Sequence, residues 1–176
     1  MMRKTKKKES NNVAVLELRY GEDEILKTVC EEIREINDEI KQFSDDMLDT
    51  MYKYDGIGLA ACQVGKTIRM ITYDVSYIEE GAKKKPMVLI NPKIIWKSKT
   101  LVKVEEGCLS YPDVFFDVDR FEKVKVEYIG LDGKKRIISA KNIEAVVLQH
   151  EIDHLEGIVF LDKLGLPRST KAKKKK

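Results

Sequence analysis

Gln149-His150-Glu151-Ile152-Asp153-His154 holds both histidines of this 176-residue chain, four positions apart with a glutamate between them. On a helix, positions i and i+4 share one face, so the two imidazoles can grip a single ion. Glu151 then points to the flank, where it can serve a water at the ion without being a ligand. Ile143, Ala145, Val146, Val147 and Leu148 lead into the motif and Leu155 follows it. This pattern predicts a helix buried on most sides, ending near Gly157. Buried imidazoles need partners. A metal supplies them, which makes a metal site the better reading than two histidines four apart by chance.

Hydrophobic residues at 43% and charged residues at 36% describe an ordinary soluble chain long enough for one real core. No apolar run approaches the ~20 residues of a membrane span. The basic start, Met1 to Ser10, lacks the apolar segment of a secretory signal. Cys30, Cys62 and Cys108 are odd in number and widely spaced, which argues for a reducing, bacterial-type cytoplasm over a disulfide framework. Of the net charge of +3, residues 1–10 carry +4 and residues 166–176 carry +6, leaving −7 for the body. An acidic body is not built to wrap nucleic acid, and no sequence-specific nucleic-acid binding is expected. The ends read as solvated tails, over 1–12 and 166–176, around a single unit spanning 13–165.

Within that unit, Val13 to Leu18 reads as a short strand. Asp38 to Lys53 reads as an amphipathic helix with Asn37 as N-cap and Ile40, Phe43, Met47, Leu48 and Met51 on one face. A glycine-containing loop from Asp55 to Gly65 follows. Strands are expected over Arg69–Val75, Met87–Ile95 and Leu101–Val104, then a hairpin over Lys123–Ala140 turning at Asp132-Gly133. A last short strand is expected at Ile158–Phe160. Strands bunched between helices predict an α+β fold, with antiparallel or mixed sheets around a central buried helix that carries the histidines and one N-terminal amphipathic helix.

A catalytic metal site needs a third protein ligand and one open position. Cys30, Cys62, Cys108 and many carboxylates are candidates. Cys108 stands out in Glu105-Glu106-Gly107-Cys108-Leu109-Ser110-Tyr111-Pro112, directly after an expected strand, with Gly107 and Pro112 shaping the segment. A small buried hydrophobe is the alternative for this thiol.

Three separated motifs then carry a resemblance to a known family. Gly56-Ile57-Gly58-Leu59-Ala60-Ala61-Cys62-Gln63, Glu106-Gly107-Cys108-Leu109-Ser110 and the histidine stretch itself stand in the order and spacing of peptide deformylases. Those enzymes remove the formyl group from the initiating methionine of new bacterial and organellar proteins. The resemblance covers about residues 13–164. It implies one metal ion held by Cys108, His150 and His154, with Fe2+ as the resident ion and Zn2+, Ni2+ or Co2+ as substitutes. It implies Glu151 as general acid and base, and Gln63 and the Leu109 amide as donors to the developing oxyanion. Ile57, Val104, Glu106, Ile143, Val146 and Val147 fall where the family lines its methionine pocket. Gly58 and Gly107 fall where its backbone holds the peptide as an added strand. Arg120 and Asp153 fall where the family has a buried ionic contact. The implied partner is a nascent N-formylmethionyl peptide, and the basic C-terminal tail is a candidate for ribosome contact.

The Gly56–Ala61 glycines also resemble a dinucleotide-binding loop, but that loop needs a strand before it and a helix after it, the reverse of what is expected here. Two other functions compete. A metalloprotease uses the same helical motif but takes a third histidine or carboxylate downstream. A closed structural metal module would need a fourth ligand from Cys30 or Cys62, neither at metal-type spacing.

Overall fold

The computed structural model describes residues 1–2 and 14–169. Helix α1 spans Asp38–Lys53, as its periodicity predicts. Asn37 caps it by accepting the Ile40 N–H at 3.0 Å, and Asp38 and Glu39 in the first turn oppose Lys53 in the last, complementing the helix dipole. Its apolar face, Phe43, Met47 and Met51, packs in one cluster with Leu59, Met70 and Ile90.

Those partners lie on an antiparallel sheet in the order β1-β2-β3-β6-β7, formed by Gly58–Ala60, Met70–Tyr73, Met87–Lys97, Lys123–Ile129 and Lys135–Lys141. The β6–β7 hairpin turns where expected, with Gly133 at a φ of +77°. A separate antiparallel pair joins β4, Leu101–Cys108, to β5, Tyr111–Phe121. Strand β4 runs to Cys108, four residues past its expected end, and β5 has no counterpart in the sequence reading.

Helix α2, Asn142–Leu155, is buried from Ala145 through Ile152 and again at His154 and Leu155. Gln149 ties it to β5: its side chain accepts the Phe121 N–H at 3.0 Å and donates to the Phe121 carbonyl at 2.8 Å. Gly157 sits just past the helix at a φ of +71°, where a Cβ would stand 2.5 Å from the Lys27 carbonyl oxygen. The helix therefore stops where expected.

Two expected strands are absent. Residues 14–20 form no strand; the Leu16 N–H goes to Thr50 Oγ1 and the Arg19 N–H to the Gln63 carbonyl, so this stretch is pinned to a helix and a turn. Ile158–Phe160 instead leads into the short helix α3, Phe160–Lys163, where Asp162 accepts the Val159 N–H at 2.8 Å. The proposed tails also differ where they are described. Met1 is buried, and Arg168 binds the Leu26 and Gly157 carbonyls and Asp162. Residues 3–13 and 170–176, the greater part of both tails, lie outside the described residues.

Candidate metal centre

The i, i+4 spacing sets His150 and His154 side by side, with ring centroids 5.1 Å apart. Cys108 arrives from the end of β4. The β4–β5 register shifts between Gly107, opposite Phe115, and Cys108, opposite Tyr111. Such a bulge re-aims the side chain it carries, and the Cys108 sulfur lies 3.4 Å from His154 Nε2. The donor atoms of Cys108, His150 and His154 all lie within 4.8 Å of one another, and all three residues are buried.

Glu106 orients one member of this trio, His150. It accepts from His150 Nδ1 at 2.5 Å and takes a forked pair from Arg120 at 2.6 and 2.9 Å. Arg120 reaches on to Asp153, one turn along the same face of α2, at 2.5 Å. Burial works to raise the Glu106 pKa, but the hydrogen bonds from His150 and Arg120 outweigh it and hold the carboxyl at about 2. A carboxylate can only accept, so the proton on Nδ1 belongs to His150, and its Nε2 faces the other way with a free lone pair when the ring is neutral. That Nε2 is buried with no hydrogen-bond partner among the described residues. A soft thiolate and two imidazoles around such an atom suit a divalent transition metal. Glu106 thus stands behind the site, bonded to a ring.

Protonation is arranged to match. Burial disfavours charge on His150, yet its contacts with Cys108 and Glu106 lift it to about 9. Burial and the neighbouring His150 push His154 well below its ordinary value.

Gln63 lies beside the thiol, donating to Cys108 Sγ at 3.4 Å and Ser110 Oγ at 3.1 Å while accepting the Ala60 N–H at 2.9 Å. That last bond fixes which end of the amide faces the centre. Leu109 follows Cys108 directly and is buried. Glu151 is fully buried and approaches β1 so closely that a Cβ on Gly58 would stand 2.5 Å from its Oε1. Ile57, Val146 and Val147 belong to one apolar cluster, with Val104 and Ile143 packed against it. Cys62 is buried and donates to the His154 carbonyl at 3.5 Å, away from the donor trio. Ser110 and Gln149 stand in the quoted motifs without an assigned role, because the bonds they make, to Gln63 and to Phe121, are set by tertiary packing.

Two imidazoles, a cysteine sulfur from a distant strand and a buried carboxylate beside them define a metallo-hydrolase centre. Residues 15–170 match the polypeptide deformylase family. The chain is 45% identical over 140 residues to the peptide deformylase of Bartonella tribocorum, covering 80% of this chain and 79% of that one. It is 46% identical over 146 residues to that of Brachyspira hyodysenteriae, covering 82% and 78%. Among solved structures, a peptide deformylase from Synechococcus elongatus in complex with actinonin superposes with a TM-score of 0.80 at 42% identity, over 84% of this chain and 79% of that one. The chain belongs to the polypeptide deformylase family.

Proposed function

We propose that this chain hydrolyses the formyl–nitrogen bond of N-formylmethionyl peptides, releasing formate and a peptide with a free amino terminus. The observation that carries the reading is the convergence of Cys108, His150 and His154 beside the buried carboxylate of Glu151, whose Oε1 accepts from the Met1 amine at 2.6 Å and whose Oε2 has no partner among the described residues. Those three residues would hold a divalent ion, which when bound supplies a Lewis acid that makes water nucleophilic near neutral pH. Fe2+ is our choice for that ion, with Zn2+, Ni2+ or Co2+ able to replace it; metal analysis of protein purified without oxygen tests it.

In this reading Glu151 takes the proton from the attacking water and passes it to the departing nitrogen. The Gln63 side-chain amide and the Leu109 backbone amide stabilise charge on the formyl oxygen, each worth about 2.7–4 kcal/mol. Ile57, Val104, Ile143, Val146 and Val147 receive the methionine side chain, and Gly58 and Gly107 hold the peptide backbone. We read α2 as the centre of the fold, since it carries both histidines and Glu151 and is buried along most of its length.

No helix among the described residues is long and apolar enough to cross a membrane. All three cysteines are free, which supports a bacterial-type cytoplasm as the compartment. The lysines of residues 171–176 are proposed to reach the ribosome electrostatically; unchanged ribosome association at low salt after deletion of residues 168–176 would refute that contact. The reaction itself is tested by measuring formate from formyl-Met-Ala-Ser with the metal-loaded wild type and Glu151→Ala. No formate from the wild type would end the deformylase reading.

A further inference from the structure

Charge is unevenly placed along this chain. Residues 17–55 hold thirteen carboxylates against five cations, whereas strands β3, β6 and β7 hold seven cations against a single carboxylate, Glu127. Those three strands are neighbours in the sheet. On one side their residues Val124, Val126, Tyr128 and Ala140 pack in the cluster that α2 joins. Helix α1 packs over the opposite side at Leu59, Met70 and Ile90. Beyond that contact the outer face is open: along β6, Lys123 and Lys125 are exposed while Val124 and Val126 between them are buried. Cross-strand register sets the pattern there. Lys93 lies opposite Glu127, Trp96 opposite Lys125, and Lys123 opposite Lys141. Glu127 is already answered by Lys135 at 3.3 Å. Among the described residues no carboxylate pairs with Lys93, Lys123, Lys125 or Lys141. Like charges set directly opposite, as at Lys123 and Lys141, are destabilising unless an anion lies between them. Trp96, the only tryptophan of the chain, is 49% exposed, with the Lys125 ammonium 6.0 Å from its ring centroid.

We propose that the outer face of β3, β6 and β7 binds single-stranded RNA without sequence preference, its lysines meeting phosphates while Trp96 stacks on a base. The charge pattern calls for a polyanion, in a body whose summed charge is otherwise negative. The exposed indole calls for a flat partner, which an unpaired base supplies and an acidic peptide does not. A duplex keeps its bases stacked on one another and leaves Trp96 with nothing to cover it. Lys123 and Lys125, two positions apart on one strand, stand about 6.8 Å apart along it, a spacing of the same order as that of successive phosphates in an extended strand. None of these three strands contributes a donor to the metal centre, so RNA on this face leaves the cleft open. The choice of RNA over DNA rests on the deformylase reading, since a nascent peptide is presented by a ribosome.

The test titrates the full chain with a short, labelled, mixed-sequence RNA that cannot pair with itself. Anisotropy of the label reports binding, and the fluorescence of Trp96 reports stacking. We expect binding that quenches Trp96, with a dissociation constant of about 10⁻⁴–10⁻⁶ M at physiological salt. The double variant Lys123→Ala/Lys125→Ala should bind more weakly, and its slope of log affinity against log salt should be smaller by about 1.4, the share of two phosphate contacts. Trp96→Ala should weaken binding about fivefold or more with that slope unchanged. Both variants should keep the wild-type circular dichroism and formate release, because neither touches the cleft. Unchanged affinity and slope in both variants, with Trp96 unquenched in the wild type, would leave RNA on the basic ends of the chain and overturn the proposal. A polyglutamate peptide or a duplex RNA bound as tightly as the unpaired strand would overturn it too, as would tighter binding of the matched DNA strand. The titration needs neither metal nor substrate, so absence of formate release from the wild type would strike the deformylase reading without changing the binding result.

Discussion

The two long helices are of similar length and built on opposite terms. Helix α1 follows the usual surface plan, with a capped start, acidic residues in the first turn, a basic one in the last and a single apolar face. Helix α2 has no side-chain cap at Lys141, begins at Asn142 in the left-handed region with a φ of +55°, and buries polar side chains together with apolar ones. The first helix is stabilised by its own sequence and one packed face. The second persists because its polar groups are answered from elsewhere: the buried Gln149 by β5 and His150 by Glu106, and the half-buried Asp153 by Arg120. Substitutions in α1 should therefore cost stability alone, and those in or around α2 should cost chemistry first.

The strongest test of that contrast is Glu151→Gln. It keeps the side-chain volume and removes the proposed proton carrier, so kcat/KM for formyl-Met-Ala-Ser should fall by about 10²–10⁴-fold, with circular dichroism showing the fold retained although the bond from the Met1 amine to Oε1 loses its charged acceptor. A midpoint collapse of the kind a core truncation gives would erase the contrast.

Glu106→Gln should affect both properties, because it leaves Arg120 with half its partners and His150 without its acceptor. Breaking one side of a buried ion pair typically costs about 3–5 kcal/mol, read from denaturant midpoints. The Glu106 carboxyl lies at about 2, below its ordinary value of 4.5. Its contribution is therefore full above that ordinary value and is lost as pH falls through about 2, because the unfolded state binds the proton more readily. The stability gap between wild type and variant should narrow from pH 7 to pH 3; a gap that widens on acidification would contradict the ion pair.

On α1, Met47→Ala empties a fully buried position and should cost about 2–5 kcal/mol with kcat per folded molecule unchanged. The smallest expected effect is Asn37→Ala, which deletes the bond to the Ile40 N–H and should cost about 1 kcal/mol. Any fall in kcat from either α1 change would mean that the two helices are coupled more tightly than their packing implies.

Periodicity and turn chemistry made α1, the β6–β7 hairpin and the end of α2 at Gly157 readable, because each depends on residues a few positions apart. Strand β5 was invisible: Tyr111–Phe121 contains Pro112 and three aspartates, and it is held extended by pairing with β4. Ile158–Phe160 looked like a strand because it is apolar, yet Asp162 turns it into the start of a helix. The Glu106 position shows the same limit within the site. Its motif marked it as important, but the register of a hairpin and the reach of Arg120 decide that it bonds a ring.

What the chain determined by itself is the pair of imidazoles and the carboxylate between them, since residues four apart share one face of a helix wherever that helix lies. What only the tertiary structure decided is which distant groups meet that face. Cys108 stands 46 residues from His154 in sequence, and the Met1 amine stands 150 from Glu151. Contacts at that range are fixed by the free energy of packing a hairpin and a strand edge against one buried helix, which no local pattern in the sequence encodes.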